Sequence, residues 1–285
     1  MKKIITTLIV VVMTVACLFA FAACGNNETE KKVEIGVQSG NTAEYYVNGD
    51  EDWGFAGYEN LEAKQYDSAY LAIQDMKNGG IDYVMTDIAP ANALAAKIDG
   101  VKVIDIELTE EEYAFGVDKS NATLLADVNA QIAAMKTNGK LAEIAGNYFS
   151  DSYLPEGIVS ATQDASKKDT QLVVATNAEF PPFEYKDGNK FVGIDMEICA
   201  YIAEQLNMEL VIIDMDFDSV VTSVGTNDID IAAAGLTVSD ARKESVNFAT
   251  SYYEASQVMI VNNSNTAFDK CESVTDVENV LKGLK

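Results

Sequence analysis

The 285-residue chain sets 45 acidic residues against 20 basic ones and has no histidine, for a formal charge of −25 at neutral pH. An acidic excess of this size argues against nucleic-acid binding and against adhesion to anionic lipid through a basic patch. Without histidine, serine–histidine and cysteine–histidine catalytic pairs are excluded, and four cysteines alone offer little to a transition metal.

Lys2 and Lys3 precede twenty uncharged residues, 4–23, and then comes Cys24-Gly25. A charged start, an apolar run and small residues before a cut make an export signal. The same run is long enough to span a membrane as an uncleaved anchor. Phe21-Ala22-Ala23-Cys24 resembles a bacterial lipobox, with Phe21 where leucine is usual. That resemblance implies that residues 1–23 are a lipoprotein signal peptide, that Cys24 is acylated, and that residues 24–32 form the lipidated tether. Removing 1–23 leaves 18 basic against 45 acidic residues, a net −27.

Residues 33–37 read as a strand that runs into the loop Gln38-Ser39-Gly40-Asn41-Thr42. Asp50-Glu51-Asp52 lacks the later ligands of a calcium loop and reads as a solvated turn. Asp67 or Ser68 caps a helix carrying Leu71, Ala72 and Met76, and Asn78-Gly79-Gly80 stops it. Strands are expected at 81–86 and 113–117. A helix over 122–138 follows, with Leu124, Leu125, Val128 and Ile132 at core spacing and Gly139 beyond its end. Residues 150–169 are polar and turn-rich, which marks a linker. Beyond it come a strand at 172–175, a hairpin around Lys186-Asp187-Gly188-Asn189, a helix over 194–206, and strands at 208–213, 229–234 and 257–261. Short strands alternating with helices imply an α/β fold with mainly parallel sheets. Cys199 falls on the apolar pattern of its helix and reads as core; a single bridge to Cys271 stays open.

Two features point to a site. Aligning Ile81 with Ile229 sets Asp87 opposite Gly235, both at the carboxyl end of a strand, where open α/β sheets bind ligands. The only arginine, Arg242, lies just beyond Gly235-Leu236-Thr237. Nineteen lysines serve elsewhere, so a lone guanidinium suggests a planar carboxylate gripped by two parallel N–H bonds. A surface ion pair is the alternative.

The stretch 172–185, ending Glu179-Phe180-Pro181-Pro182-Phe183-Glu184-Tyr185, resembles the start of bacterial amino-acid-binding proteins of ABC importers, extracellular solute-binding proteins family 3. Gly193-Ile194-Asp195-Met196, Met215-Asp216-Phe217, Ala234-Gly235-Leu236-Thr237 with Arg242, and Tyr252-Tyr253 follow in that family's order. Ile35-Gly36-Val37-Gln38-Ser39-Gly40 and Met85-Thr86-Asp87-Ile88-Ala89-Pro90 are similar to its second lobe, and Glu112 to Phe149 to its closing segment. The two blocks stand in exchanged order, each once, which resembles a circular permutation; a truncated tandem is the rival.

The resemblance implies a two-lobed periplasmic-binding-protein type II fold, with two mixed, mainly parallel sheets. Lobe 2 would hold residues 33–107 with 266–285. Lobe 1 would hold 108–149 and, after the 150–169 linker, 170–265 with the hinge. Crossing strands are expected near Glu111 and Val261. It further implies a monomer without cofactor, delivering an amino acid to a permease and its ATPase from the outer face of the cell membrane. Arg242 would take the ligand α-carboxylate with Thr237 and the Gly235 backbone. Thr42 and Asn41 would add donors from a helix N-terminus, though the family commonly has threonine at Asn41. Asp87 would take the α-ammonium group, the alternative being a helix cap. Phe180 and Phe217 would sandwich the aliphatic part, unless they are plain core. Asn177 would face the side-chain end and favour a polar, uncharged or acidic ligand. Two other classes stay open: a surface sensor, and a dehydratase on this fold, for which Glu179 is the candidate acid.

Overall fold

The computed structural model describes residues 32–150 and 152–285. The strands are β1 (Val33–Gln38), β2 (Leu61–Tyr66), β3 (Tyr83–Asp87), β4 (Val101–Ile104), β5 (Glu111–Tyr113), β6 (Gly116–Asp118), β7 (Gln171–Thr176), β8 (Glu179–Phe180), β9 (Glu184–Asp187), β10 (Lys190–Val192), β11 (Glu209–Asp214), β12 (Ile231–Ala232), β13 (Val246–Phe248), β14 (Tyr253–Ala255) and β15 (Gln257–Asn262). The helices are α1 (Thr42–Asn48), α2 (Ala69–Lys77), α3 (Ile88–Ala95), α4 (Ala122–Asn138), α5 (Lys140–Tyr148), α6 (Ile194–Gln205), α7 (Phe217–Ser223), α8 (Asp240–Lys243) and α9 (Val274–Gly283). The proposed signal peptide and Cys24 lie outside the described residues. No helix among the described residues is long and apolar enough to cross a membrane.

Local signals explain where these helices start and stop. The Ser68 hydroxyl accepts from the Leu71 N–H at the start of α2, and Asn121 does the same for Leu124 at the start of α4. Each removes one of the orphan donors of a first turn. Gly139 ends α4 in the left-handed region at φ +82°, which costs glycine nothing. Along α4 the buried residues are Leu124, Val128, Ile132 and Met135. They form one stripe facing α5 and α6, and each such side chain stabilises the fold by about 1.5–3 kcal/mol when fully buried.

Two five-stranded sheets carry the architecture, ordered β2-β1-β3-β15-β4 and β11-β7-β12-β6-β13. In each, one strand runs against its neighbours: β15 is antiparallel to β3 and β4, and β6 is antiparallel to β12 and β13. Those reversed strands are the ones drawn from the opposite half of the chain. The fold is therefore α/β, with mixed but mainly parallel sheets as expected. A separate two-stranded ribbon, β5 against β14, joins the two sheets. The three-stranded sheet β10-β9-β8 flanks the second of them.

The crossing differs in one respect from the sequence reading. Glu111 lies in the ribbon, but Val261 lies inside the first sheet, because residues 258–261 are wholly buried and serve two apolar clusters. Val258 and Ile260 pack into one cluster, and Met259 and Val261 into another. An apolar run buried on both faces belongs in a sheet interior, not a hinge. The expected strand at 113–117 likewise breaks into β5 and β6, and that at 229–234 shortens to β12.

Residues 152–169 run past the three-stranded sheet and along the β11 edge of the second five-stranded sheet. Ile158 exchanges backbone bonds with Phe191, and the Ala161 N–H donates to Leu210. At the other sheet, Asn60 ties together β1 and the end of α9. Its carbonyl accepts from Val33 N–H, while its amide donates to Leu281 and Leu284 carbonyls at 2.9 and 3.0 Å. Cys199 is buried and Cys271 partly so, and both are free thiols.

Candidate functional site

Residues from both sheets meet where the loops after β1, β3 and β12 converge. Arg242, in the short helix α8, is only 9% exposed. Its Nη1 donates to the Thr237 carbonyl and its Nη2 to the Gly40 carbonyl, both at 2.9 Å. The guanidinium lies over two aromatic rings, Trp53 at 5.0 Å and Phe217 at 5.3 Å. Among the described residues, none of the ion pairs within 4.0 Å includes it. Burial pulls its pKa down, against the fields of Tyr45, Glu111 and Asp87. Arg242 is thus a buried cation with carbonyl partners and donors to spare, and the surface ion-pair alternative falls.

Asp87 occupies the N-cap position of α3, yet its side chain makes no capping bond. Instead its Oδ1 accepts from the Tyr113 hydroxyl at 2.6 Å and its Oδ2 from Asn41 Nδ2 at 3.0 Å. Burial, then the neighbouring Glu111 carboxylate, push its pKa up to about 7, opposed by the hydrogen bonds from Tyr113 and Asn41. Asn41 does two jobs, because its Oδ1 also caps α1 through Ala43 N–H at 3.0 Å.

Glu111 lies in the ribbon between the sheets, where the sequence reading expects a crossing strand but assigns it no part in the site. The strand alternation of β5 turns Glu111 and Tyr113 inward and Glu112 outward. Its Oε2 accepts from Thr42 at 2.7 Å and from Thr237 at 2.6 Å. Its Oε1 accepts from Thr109 at 2.6 Å and Gln257 at 3.0 Å. Thr42 and Thr237, expected on opposite lobes, are 3.3 Å apart through their hydroxyls. Trp53, the only tryptophan, was also missed; its rarity was the available signal.

Gly235 has φ +54°, and a Cβ there would come within 2.8 Å of the Phe180 ring. Only glycine suits that backbone and that approach. Its N–H donates to Asp195 at 3.0 Å, which also accepts from Tyr252 at 2.6 Å. Burial raises Asp195 to about 7 and Glu184, beside it, well above the usual carboxylate range. Phe180 and Phe217 are buried but belong to separate clusters. Phe180 packs on Phe183 and the Gly235 loop, and Phe217 lies under Arg242. Asn177 accepts from Gln38 Nε2 at 2.8 Å and donates to the Met215 carbonyl at 2.9 Å. The Gln38 Oε1 is buried without a partner. Glu179, the candidate acid of the dehydratase reading, is exposed. A crevice of about 1050 Å³ lies beside the ribbon, lined by Ile88, Glu110, Phe149, Pro182 and Tyr253 among others. Of the site residues only Glu111 reaches it, so volume alone is a poor guide here.

Among the described residues, then, opposite sheets carry a buried guanidinium outside every ion pair and a carboxylate that sits at a helix N-cap without capping it. Residues 172–285 match the family of bacterial extracellular solute-binding proteins, family 3. These residues belong to that family. Among its relatives, the arginine-binding extracellular protein ArtP of Bacillus subtilis is 32% identical over 126 residues, 44% of this chain and 47% of the relative. A probable histidine-binding protein of Neisseria gonorrhoeae is 36% identical over 89 residues, 31% of this chain and 33% of the relative. The chain thus spans about half or less of the curated relatives it matches. Among solved structures, the arginine-bound domain 1 of TmArgBP is 31% identical, covering 43% of this chain and 100% of that one, with a TM-score of 0.30. The family match begins within the Leu172-Val173-Val174 strand and takes in Asn177, Phe180, Phe217, Gly235, Thr237 and Arg242, so six of the expected contacts fall within it.

Proposed function

We propose that this member of the solute-binding family captures a free α-amino acid between its two lobes and delivers it to an ABC permease and its ATPase. In this reading it works as a lipid-anchored monomer on the outer face of the cell membrane. The observation that carries it is Arg242, buried, with carbonyl partners and no carboxylate. Leaving a cation so placed is costly, and a ligand carboxylate relieves it with a bidentate pair. Asp87 complements it by taking the ammonium group, and Thr237, the Gly235 backbone, Thr42 and Asn41 border the place of the carboxylate; the bonds of Thr42 and Thr237 to Glu111 and of the Gly235 N–H to Asp195 give way where they turn to the ligand. Ligand binding then closes the lobes by population shift, because contacts to Arg242 and Asp87 form together only when the sheets approach.

At the far end, Asn177 and Gln38 present two neutral amides. They offer no charge to hold a cationic side chain, which favours a polar, uncharged or acidic ligand. Phe180 and Phe217 border the space for the aliphatic part. Calorimetry of residues 24–285 against L-glutamine, L-glutamate, L-arginine and L-histidine tests this, together with the des-amino and amide forms of each. One neutral or acidic amino acid should bind, and its two modified forms should fail. Uniform silence across the panel, or binding indifferent to the α-carboxylate, refutes the reading.

The exchanged order of the two blocks belongs to the same proposal, as a circular permutation. Two features support it. Val33 and Leu284 both bond to Asn60, so the family's order needs only a short join there. Residues 152–169 bond to β10 and β11, on one side of the molecule's second half, and an extended chain spans up to ~3.3 Å per residue. Moving residues 33–149 behind Lys285 and deleting 150–169 should give a monomer with the same ligand and similar affinity. A natural order that binds only as a dimer, or not at all while the rearranged chain binds, defeats the permutation.

A further inference from the structure

The only tryptophan of the chain rests on its only arginine. They come from opposite sheets, since Trp53 follows α1 beside β1 and β2, whereas Arg242 precedes β13. The loop that presents Trp53 is braced at every step. Asp50 and Phe55 exchange backbone bonds of 2.8 and 2.9 Å. The Asp50 carboxylate accepts from the Asp52 and Trp53 N–H groups at 2.9 and 3.2 Å, as the sequence reading of a turn there expects. Gly57, at φ +67°, packs so tightly that a Cβ on it would fall 2.4 Å from Gly49 N. Behind the indole, Tyr45 stacks face to face at 4.4 Å and 9°. Trp53 is therefore a fixed plate and not a swinging side chain. The guanidinium also lies over the Phe217 ring, at 5.3 Å.

We propose that Trp53 is a positioning residue that latches the two lobes through Arg242 and so sets how fast the ligand leaves. The proposal rests on the carboxylate role of Arg242 given above. A desolvated cation–π contact is worth enough to change a rate about 10-fold. The lobes have to unstack before they part, whereas approach of the ligand precedes stacking. The latch therefore slows release and leaves capture nearly untouched.

The test uses the whole chain and two readouts. In the first, radiolabelled L-glutamine, L-glutamate, L-arginine and L-histidine are each bound and chased with unlabelled amino acid. Trp53→Ala should release the bound one about 10-fold faster with little change in association, and Trp53→Phe should retain most of the effect. The second needs no ligand, because all indole emission comes from Trp53. Acrylamide should quench it more readily in Arg242→Ala than in the wild type. Equal release rates in wild type and Trp53→Ala, or equal quenching in wild type and Arg242→Ala, overturn the latch. If no amino acid binds the wild type, the proposed function fails, and the quenching comparison still decides whether the stack exists.

Discussion

Replacing Asp87 by asparagine should trade function for stability in a way that reverses with pH. The folded pKa is raised from 3.8 to about 7, so the native state holds this proton more tightly than the unfolded chain does. The stabilising contribution is full below about pH 4 and is lost as pH climbs through 7. Three units at about 1.4 kcal/mol each put the cost of the ionised carboxylate near 4 kcal/mol at pH 8. Asp87→Asn removes that cost. It also sets an amide N–H₂ against the donor of Asn41 while keeping the Tyr113 bond, a loss of about 1–3 kcal/mol. The variant should therefore be roughly 1–3 kcal/mol more stable than wild type at pH 8 and less stable than it near pH 4. Urea denaturation across that range reads the crossing directly. Asp195 and Glu184 also titrate from raised values, but both chains keep them, so the difference isolates Asp87. Amino-acid binding moves oppositely: wild-type affinity should drop as pH falls below about 7, while the variant binds poorly throughout. Parallel stability curves that never cross would refute the assignment of a strained, ligand-facing carboxylate.

Other substitutions probe the rest of the site. Arg242→Lys should lose roughly 30-fold or more in affinity by calorimetry, since an ammonium cannot offer the fork and truncating a buried charge pair costs ~2–5 kcal/mol. Unchanged binding would remove Arg242 from the ligand. Glu111→Gln turns part of a pure acceptor into a donor facing Thr42, Thr237, Thr109 and Gln257, all of which donate to it. Affinity should fall at least tenfold with little change in the far-ultraviolet circular dichroism, and equal affinity would show that the hub is idle.

Much of this fold can be read directly from residue patterns. The α4 stripe and its Gly139 stop, the Ser68 cap and the hairpin at Gly188 are local signals, and the structure follows them within a residue or two. Arg242, Thr237, Thr42, Asn41 and Asp87 do converge. Trp53 and Glu111 escaped because their meaning is long-range. A turn tryptophan says nothing of an arginine carried by the other sheet, and one acid in a run of three gives no hint of its inward face until the strand partner is known. Val261 was misplaced for a related reason, since a fully apolar run fits a sheet centre and a crossing strand equally until its neighbours are in place. Asp87 shows the remaining limit. Its cap position was legible, but whether the carboxylate serves the helix or the cleft depends on Tyr113 and Asn41.

The placement of β15 between β3 and β4, and of β6 between β12 and β13, governs how this protein is born. As synthesis proceeds from the amino end, residues 101–104 wait for a neighbour until residues 257–262 have emerged. Residues 116–118 wait nearly as long for theirs. Neither half of the nascent polypeptide can complete a sheet alone, so partial products expose open strand edges. Such edges invite pairing with other chains and call for a chaperone's protection until the last element arrives. A ribosome that stalls after β13 but before β15 releases a chain with every strand of the second sheet but a gap in the first between β3 and β4.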